Sequence, residues 1–149
     1  MFRAKHTLLV DLTLDEEALQ RAFDADLRWR LRRAEKDGLV HKRLDAADPQ
    51  ARDWFCAFHM PWAAEKGLQP VHRERLDRMA EAGHLGLSSI ATAEGETLIC
   101  SAYYIDGRRV RGLYRPSCLD HAGDSRRRQL MARASRRISW VDSEAGSRS

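Results

Sequence analysis

Apolar positions come in short runs whose period shifts along the chain, and each shift marks an element. HTLLVDL (6–12) is apolar and β-branched enough to predict a strand. From Thr13 to Gly38 the apolar residues recur at helical spacing, which predicts one long helix. Thr13 or Asp15 would cap it, acids fill its first turn and Gly38 stops it. LVHKRL (39–44) predicts a short strand, and DAADPQ (45–50) a turn in which Pro49 opens the next helix. That helix runs over 51–67, where Pro61 should kink or divide it. Another helix covers 69–84 and closes at Gly83.

The period then drops to two. Residues 84–117 read as a β-meander of three strands, turning at AEGE and at IDGR, where Asp106-Gly107 is a strong hairpin signal. A last helix over 124–141, capped by Asp124 or Ser125, precedes a polar, Ser-rich stretch (142–149) expected to be a disordered tail. No repeat or linker divides the chain, so 1–141 is expected to form a single domain. Its class is α+β: a three-stranded antiparallel meander plus two further strands, packed with three to four helices.

Helical phase sharpens the picture. At about 100° per residue, Leu19, Ala22, Phe23, Leu27 and Ala34 share one face of the long helix. Asp26, Arg30 and Arg33 lie beside that stripe, while Arg28, Arg32 and Glu35 point away. Asp26 and Arg30, at i and i+4, can pair. Either they clamp the rim of the core, or Arg30 and Arg33 reach a phosphate or carboxylate of a substrate. Leu130, Met131, Ala134, Ile138 and Val141 form the docking stripe of the last helix. Trp54, Phe55, Phe58 and Trp62 form another, read as core or subunit contact.

A chain of 149 residues with 43% hydrophobic and 32% charged residues suits a single globular domain. No apolar run approaches the ~20 residues of a membrane span. The N-terminus lacks the long apolar region of a signal peptide, so a cytoplasmic location is expected. Cys56, Cys100 and Cys118 are an odd, widely spaced set without a CxxC pair, and the six histidines show no ligand spacing, so no metal site is expected. The net charge of +4 matters less than its distribution, since Lys and Arg concentrate in 28–43 and 126–137. Arg126, Arg127 and Arg128 stand in the first turn of the last helix, where the dipole disfavours cations. An anion held at the same place would account for them, and so would side chains that snorkel to solvent.

Arg28, Leu31, Arg32, Arg33, Ala34, Glu35, Lys36 and Gly38 reproduce the pattern R-x-x-[IL]-R-[KR]-A-E-K-x-G between two strands. Downstream come an F…KG helix, a helix ending before LGL, a stretch of the form A-x-Y-Y-x-D-G…L-Y-x-P-S, and a helix ending in Trp. In this order the chain resembles the Fem-type peptidoglycan bridge-forming transferases and their relatives in the GNAT acyltransferase superfamily. The resemblance implies a GNAT-like fold and an N-acyltransferase activity. An acyl or aminoacyl group would pass from a phosphate-bearing carrier, acyl-CoA or aminoacyl-tRNA, to an amine such as one on a cell-wall precursor. No tightly bound cofactor is implied.

The resemblance also places candidate roles. Tyr114 and Ser117 stand near the transfer site as catalytic hydroxyls. Gly123, Ser125, Arg126, Arg127 and His121 occupy the carrier-binding loop and helix start, while Arg30, Arg33 and Tyr104 would face substrate. Tyr103 and Tyr104 alternate across the sheet, so one is expected in the core and the other at the cleft. Asp120 has the wrong charge for an acetyl-CoA loop, and Ser125 is larger than the family residue. The sheet should splay between the strand ending at Ser117 and its neighbour. Measured against the family, the chain looks trimmed at both ends. A non-catalytic module binding RNA or another polyanion, or an inactive acyltransferase fragment, are the alternatives.

Overall fold

A computed structural model describes residues 13–23, 25–107, 109–118, 129–135 and 138. The expected strand at 6–12, the carrier loop, the start of the last helix and the tail lie outside these residues.

The long helix of the sequence reading is two helices, α1 (Glu16–Ala22) and α2 (Ala25–Lys36). Asp15 caps α1, its carboxylate accepting from the Ala18 N–H at 2.7 Å. The break comes at Phe23, whose backbone is extended (φ −77°, ψ 148°) while its ring packs against the core beside Leu19. Asp26 then meets the fresh N-terminal dipole of α2. The turn also changes the inward face: Leu31 and Ala34 are buried, whereas Ala22 is exposed. Gly38 ends α2 at φ +71°, in the left-handed region that favours glycine.

Strand β1 (Val40–Leu44) leads into α3 (Pro49–Glu65), capped by Asp48 and opened by Pro49 as expected. Pro61 does not divide α3, which continues to Glu65. Pro61 and Ala57, the residue whose carbonyl loses its helical partner, are both exposed, so water can satisfy the freed oxygen. Helix α4 (Arg73–Glu81) starts later than its apolar pattern suggested, after Pro70, and Gly83 closes it at φ +73°. The meander follows as β2 (Leu85–Ala91), β3 (Thr97–Asp106) and β4 (Arg109–Tyr114). Residues 129–135 are helical.

The four strands form one antiparallel sheet in the order β1-β2-β3-β4. The α+β class and the meander stand, and β1 is one of the two further strands. Splitting the long helix adds a helix to the expected count. Two apolar clusters make the core. Phe55 and Leu76 from α3 and α4 pack on Leu85, Leu87, Cys100 and Ala102 of the sheet. Leu19, Leu31, Ala134 and Ile138 gather around Ile90, Leu98 and Ile99.

The pairing of β3 with the chain after Gly112 does not stop at Tyr114. Tyr114 pairs with Ala102, the Cys100 N–H donates to the Pro116 carbonyl at 3.0 Å, Ser117 pairs with Ile99, and the Cys118 N–H donates to the Leu98 carbonyl at 2.9 Å. One register runs through all four contacts. Pro116 interrupts the ladder only because it has no N–H to give.

Candidate functional site

Tyr114 ends β4 and stands on the sheet face that α3 and α4 cover. Its hydroxyl accepts a hydrogen bond from Arg75 Nη1 at 3.0 Å, and the Arg75 guanidinium carbon lies 5.9 Å from the ring centroid. From α3, the His59 ring meets the Tyr114 ring edge-on, with centroids 5.4 Å apart, and lies at the same centroid distance from the Trp62 ring. His59 is 2% exposed and its Nδ1 has no hydrogen-bond partner. Burial lowers its pKa, so the imidazole is held neutral. A buried polar atom without a partner is costly, and the cost is commonly tolerated where a ligand or reaction uses the atom.

An ion network fixes α3 against α4 beside this cluster. Arg52 of α3 donates from Nε to Asp77 Oδ1 at 2.7 Å and from Nη1 to the Ala46 carbonyl at 2.7 Å. Arg73 donates to the same Asp77 oxygen at 2.8 Å and also pairs with Asp53. The Arg73 hydrogen bond, aided by Arg52, holds the Asp77 carboxyl below its ordinary pKa. Arg52 is 9% exposed, and such a charge is stable there only because these acceptors surround it. Arg75 and Arg78 of α4 lie outside the network. With His72, Arg73 and Glu74 they line a cavity of about 430 Å³.

The residues singled out in the sequence separate into groups. Ala102 and Ile99 are three positions apart on β3, so their partners Tyr114 and Ser117 project to opposite faces. The two hydroxyls are therefore not neighbours. Tyr104 shares the Tyr114 face, half-buried, its ring 5.0 Å from that of His84, while Tyr103 is in the core at 2% exposure. Arg30 forms its expected pair with Asp26, Nε to Oδ2 at 2.7 Å, on the exposed side of α2. Arg33 pairs with Asp37 at 3.5 Å, and Asp37 also receives Arg133 from the last helix. Arg30 and Arg33 thus sit in ion pairs of α2 and make no contact with the Tyr114 cluster. Gly123, Ser125, Arg126, Arg127 and His121 lie outside the described residues.

The expected splay is not found on the β3 side, because the ladder holds through Cys118. The other edge of β4 carries no strand among the described residues. The three cysteines are free thiols, and burial pushes the pKa of both Cys56 and Cys100 upward. Among the described residues no group of three His, Cys, Asp or Glu comes together to hold a metal, and no helix is long and apolar enough to cross a membrane.

Arg75 and His59 were missed in the sequence reading. Only their contacts with Tyr114 single them out, and those contacts depend on how α3 and α4 land on the sheet.

No family model and no curated protein matches the sequence. Solved structures do. The crystal structure of FemX superposes with a TM-score of 0.71 at 12% identity, covering 93% of this chain and 49% of that one. The C-terminal domain (DUF2156) of a putative lysylphosphatidylglycerol synthetase from Agrobacterium fabrum superposes with a TM-score of 0.56 at 15% identity, covering 85% and 42%. The chain therefore spans about half the length of these solved proteins. Its fold is like that of FemX, as the resemblance carried by Arg28–Gly38 implied.

Proposed function

We propose that this Fem-type domain takes part in moving an acyl group, most simply an aminoacyl group, from a phosphate-bearing carrier to an amine. The observation that carries the reading is the Tyr114 cluster: a hydroxyl bonded to an arginine N–H, above a buried neutral histidine whose Nδ1 is unpartnered. The FemX likeness and the lysyl-lipid synthetase likeness support the same class of chemistry, because the fold is the one in which those proteins are built. Aminoacyl-tRNA is the preferred donor and acyl-CoA the second. The acceptor is an amine of a cell-wall precursor or of similar chemistry.

Acyl transfer to an amine needs positioning, stabilisation of an oxyanion and a proton for the leaving group. In this reading the amine attacks the acyl carbon, the C–N bond forms and the bond to the carrier breaks. The Tyr114 hydroxyl gives its proton to the leaving atom, and Arg75 stabilises the resulting phenolate. The proton shed by the new amide nitrogen returns to Tyr114. Packed with Trp62 and Tyr114 and almost wholly buried, His59 keeps its imidazole uncharged through the cycle. Ser117, on the opposite face, has no part in this step.

The test is a thermal-shift series with charged tRNA, uncharged tRNA and acyl-CoAs. Charged tRNA should raise the melting temperature more than uncharged tRNA does, or acyl-CoA should raise it. Equal shifts with charged and uncharged tRNA, falling steeply with salt, and none with acyl-CoA would instead identify a basic polyanion-binding module.

A further inference from the structure

We infer that the end of β1 opens a peptide-binding subsite, in which a short extended peptide with free termini continues the β1 ladder along the bare edge of β2. The register shows where the ladder stops. β1 pairs with β2 from Val40 and Ala91 to Leu44 and Leu87, yet β2 begins two residues earlier, at Leu85. The Ile105 N–H donates to the His84 carbonyl at 2.8 Å, which puts these two residues at a hydrogen-bonded position of the β2–β3 ladder. Alternation then makes Leu85 and Tyr104 a non-hydrogen-bonded pair. The N–H and C=O of Leu85 therefore turn away from β3, toward the side that β1 occupies further along. Ala46 is the next partner in register, but it has left the sheet: its carbonyl accepts from Arg52, and the chain turns through Asp45 into α3. No described residue pairs with the main chain of Leu85 on that side.

A main-chain donor and acceptor on a residue only 8% exposed need partners. Leu85 lines a cavity of about 430 Å³, and the walls keep that space open. Ala46, Ala47, Ala80 and Gly83 are small, and Gly86 carries no side chain because the Tyr103 ring lies where its Cβ would be. Arg43 and Asp45 stand in the same wall with opposite charges, and neither forms an ion pair among the described residues. The Ala47 N–H donates to Asp45 Oδ1 at 3.0 Å, which holds that carboxylate in place. A ligand with an amide N–H and C=O at strand spacing, a carboxylate for the Arg43 fork and an ammonium for Asp45 meets all four groups. That chemistry is a zwitterionic dipeptide: a single amino acid lacks the amide, and a capped peptide lacks the charges. β1 and β4 are the two outer strands of the sheet, so this subsite is apart from Tyr114, and its occupation does not depend on the function proposed above.

The experiment is an NMR titration of the isotope-labelled chain with alanyl-alanine at low salt, following the Leu85 and Gly86 amides and the Arg43 Nε–H. Wild type should show saturable shifts centred on these groups. N-methylation of the probe's amide removes its donor and should weaken binding about tenfold. Acetylating the probe's amine should weaken binding to wild type and make no difference in Asp45→Asn, whose amide oxygen still accepts from the Ala47 N–H. Amidating its carboxyl should weaken binding to wild type and make no difference in Arg43→Gln. Lys42→Gln, one residue away on β1 but outside this cavity, should leave every affinity unchanged. Equal binding of the N-methylated probe would overturn the strand addition. The subsite itself would be overturned by shifts scattered over the surface, by the absence of saturation, or by Asp45→Asn and Arg43→Gln discriminating among the capped probes as wild type does.

Discussion

Gly86 shows how far one residue can constrain this core. A Cβ added there would lie 2.0 Å from Cε2 of Tyr103, its cross-strand partner. Tyr103 is 2% exposed and its ring cannot retreat without displacing the core. Gly86→Ala should therefore cost about 1–3 kcal/mol or more through overpacking, read as a lower urea midpoint. Two titrating residues add slopes to the dependence of stability on pH at its acid end. Burial lowers the folded pKa of His59 below its ordinary 6.5, so the unfolded chain takes up the proton first and stability falls as the pH drops below 6.5. Asp77 has a folded pKa below its ordinary 3.8, so its contribution is complete above 3.8 and is lost as the pH falls through the lowered value. Urea midpoints against pH should lose the first slope in His59→Phe and the second in Asp77→Asn. Of the residues around Tyr114, the sequence singled out only Tyr114. The Arg30–Asp26 pair was legible because i, i+4 spacing determines it, whereas Arg75 and Tyr114 are 39 positions apart and meet only after α4 docks on the sheet.

Punctuation residues made most elements readable. Gly38, Gly83 and the turn glycines Gly95 and Gly107 all adopt positive φ where the pattern placed stops or turns. Asp48 and Pro49 opened α3 as their types demand. The breaks within helices have local causes. Phe23 interrupts a run of good helical spacing with an extended backbone while its ring packs on the core, and periodicity carries no signal for that break. Pro61 leaves α3 undivided, because its helix face is exposed and water can satisfy the freed carbonyl. Gly38 offers the cleanest test at this scale. A Cβ at this position would meet only Ala93 Cβ, at an ordinary 3.5 Å, so space is not the obstacle. Gly38→Ala should still cost about 1–2 kcal/mol, because its φ of +71° is strained for any L side chain. The expected readout is a lower melting temperature with unchanged far-ultraviolet circular dichroism.

At the scale of the molecule, α3 and α4 are tied together by one buried arginine and its carboxylate partner, and together they cover the sheet face that bears Tyr114. That arrangement turns a residue at the end of a strand into the centre of a polar cluster with an arginine and a neutral histidine beside it. The motif over Arg28–Gly38 indicated the fold, yet Arg30 and Arg33 within that stretch sit in ion pairs of α2, so the signal for the fold and the candidate site are different parts of the chain. The central claim is that Tyr114 serves acyl transfer. Its most direct test is a single-turnover assay with tRNA charged with a labelled amino acid and an amine acceptor, comparing wild type with Tyr114→Phe. Phenylalanine keeps the ring contact with His59 and removes the hydroxyl, both the proton donor and the acceptor of the Arg75 hydrogen bond. The account predicts label moving to the amine with wild type and a rate lower by about 10²–10⁴-fold with Tyr114→Phe. Equal rates for the two proteins would contradict it.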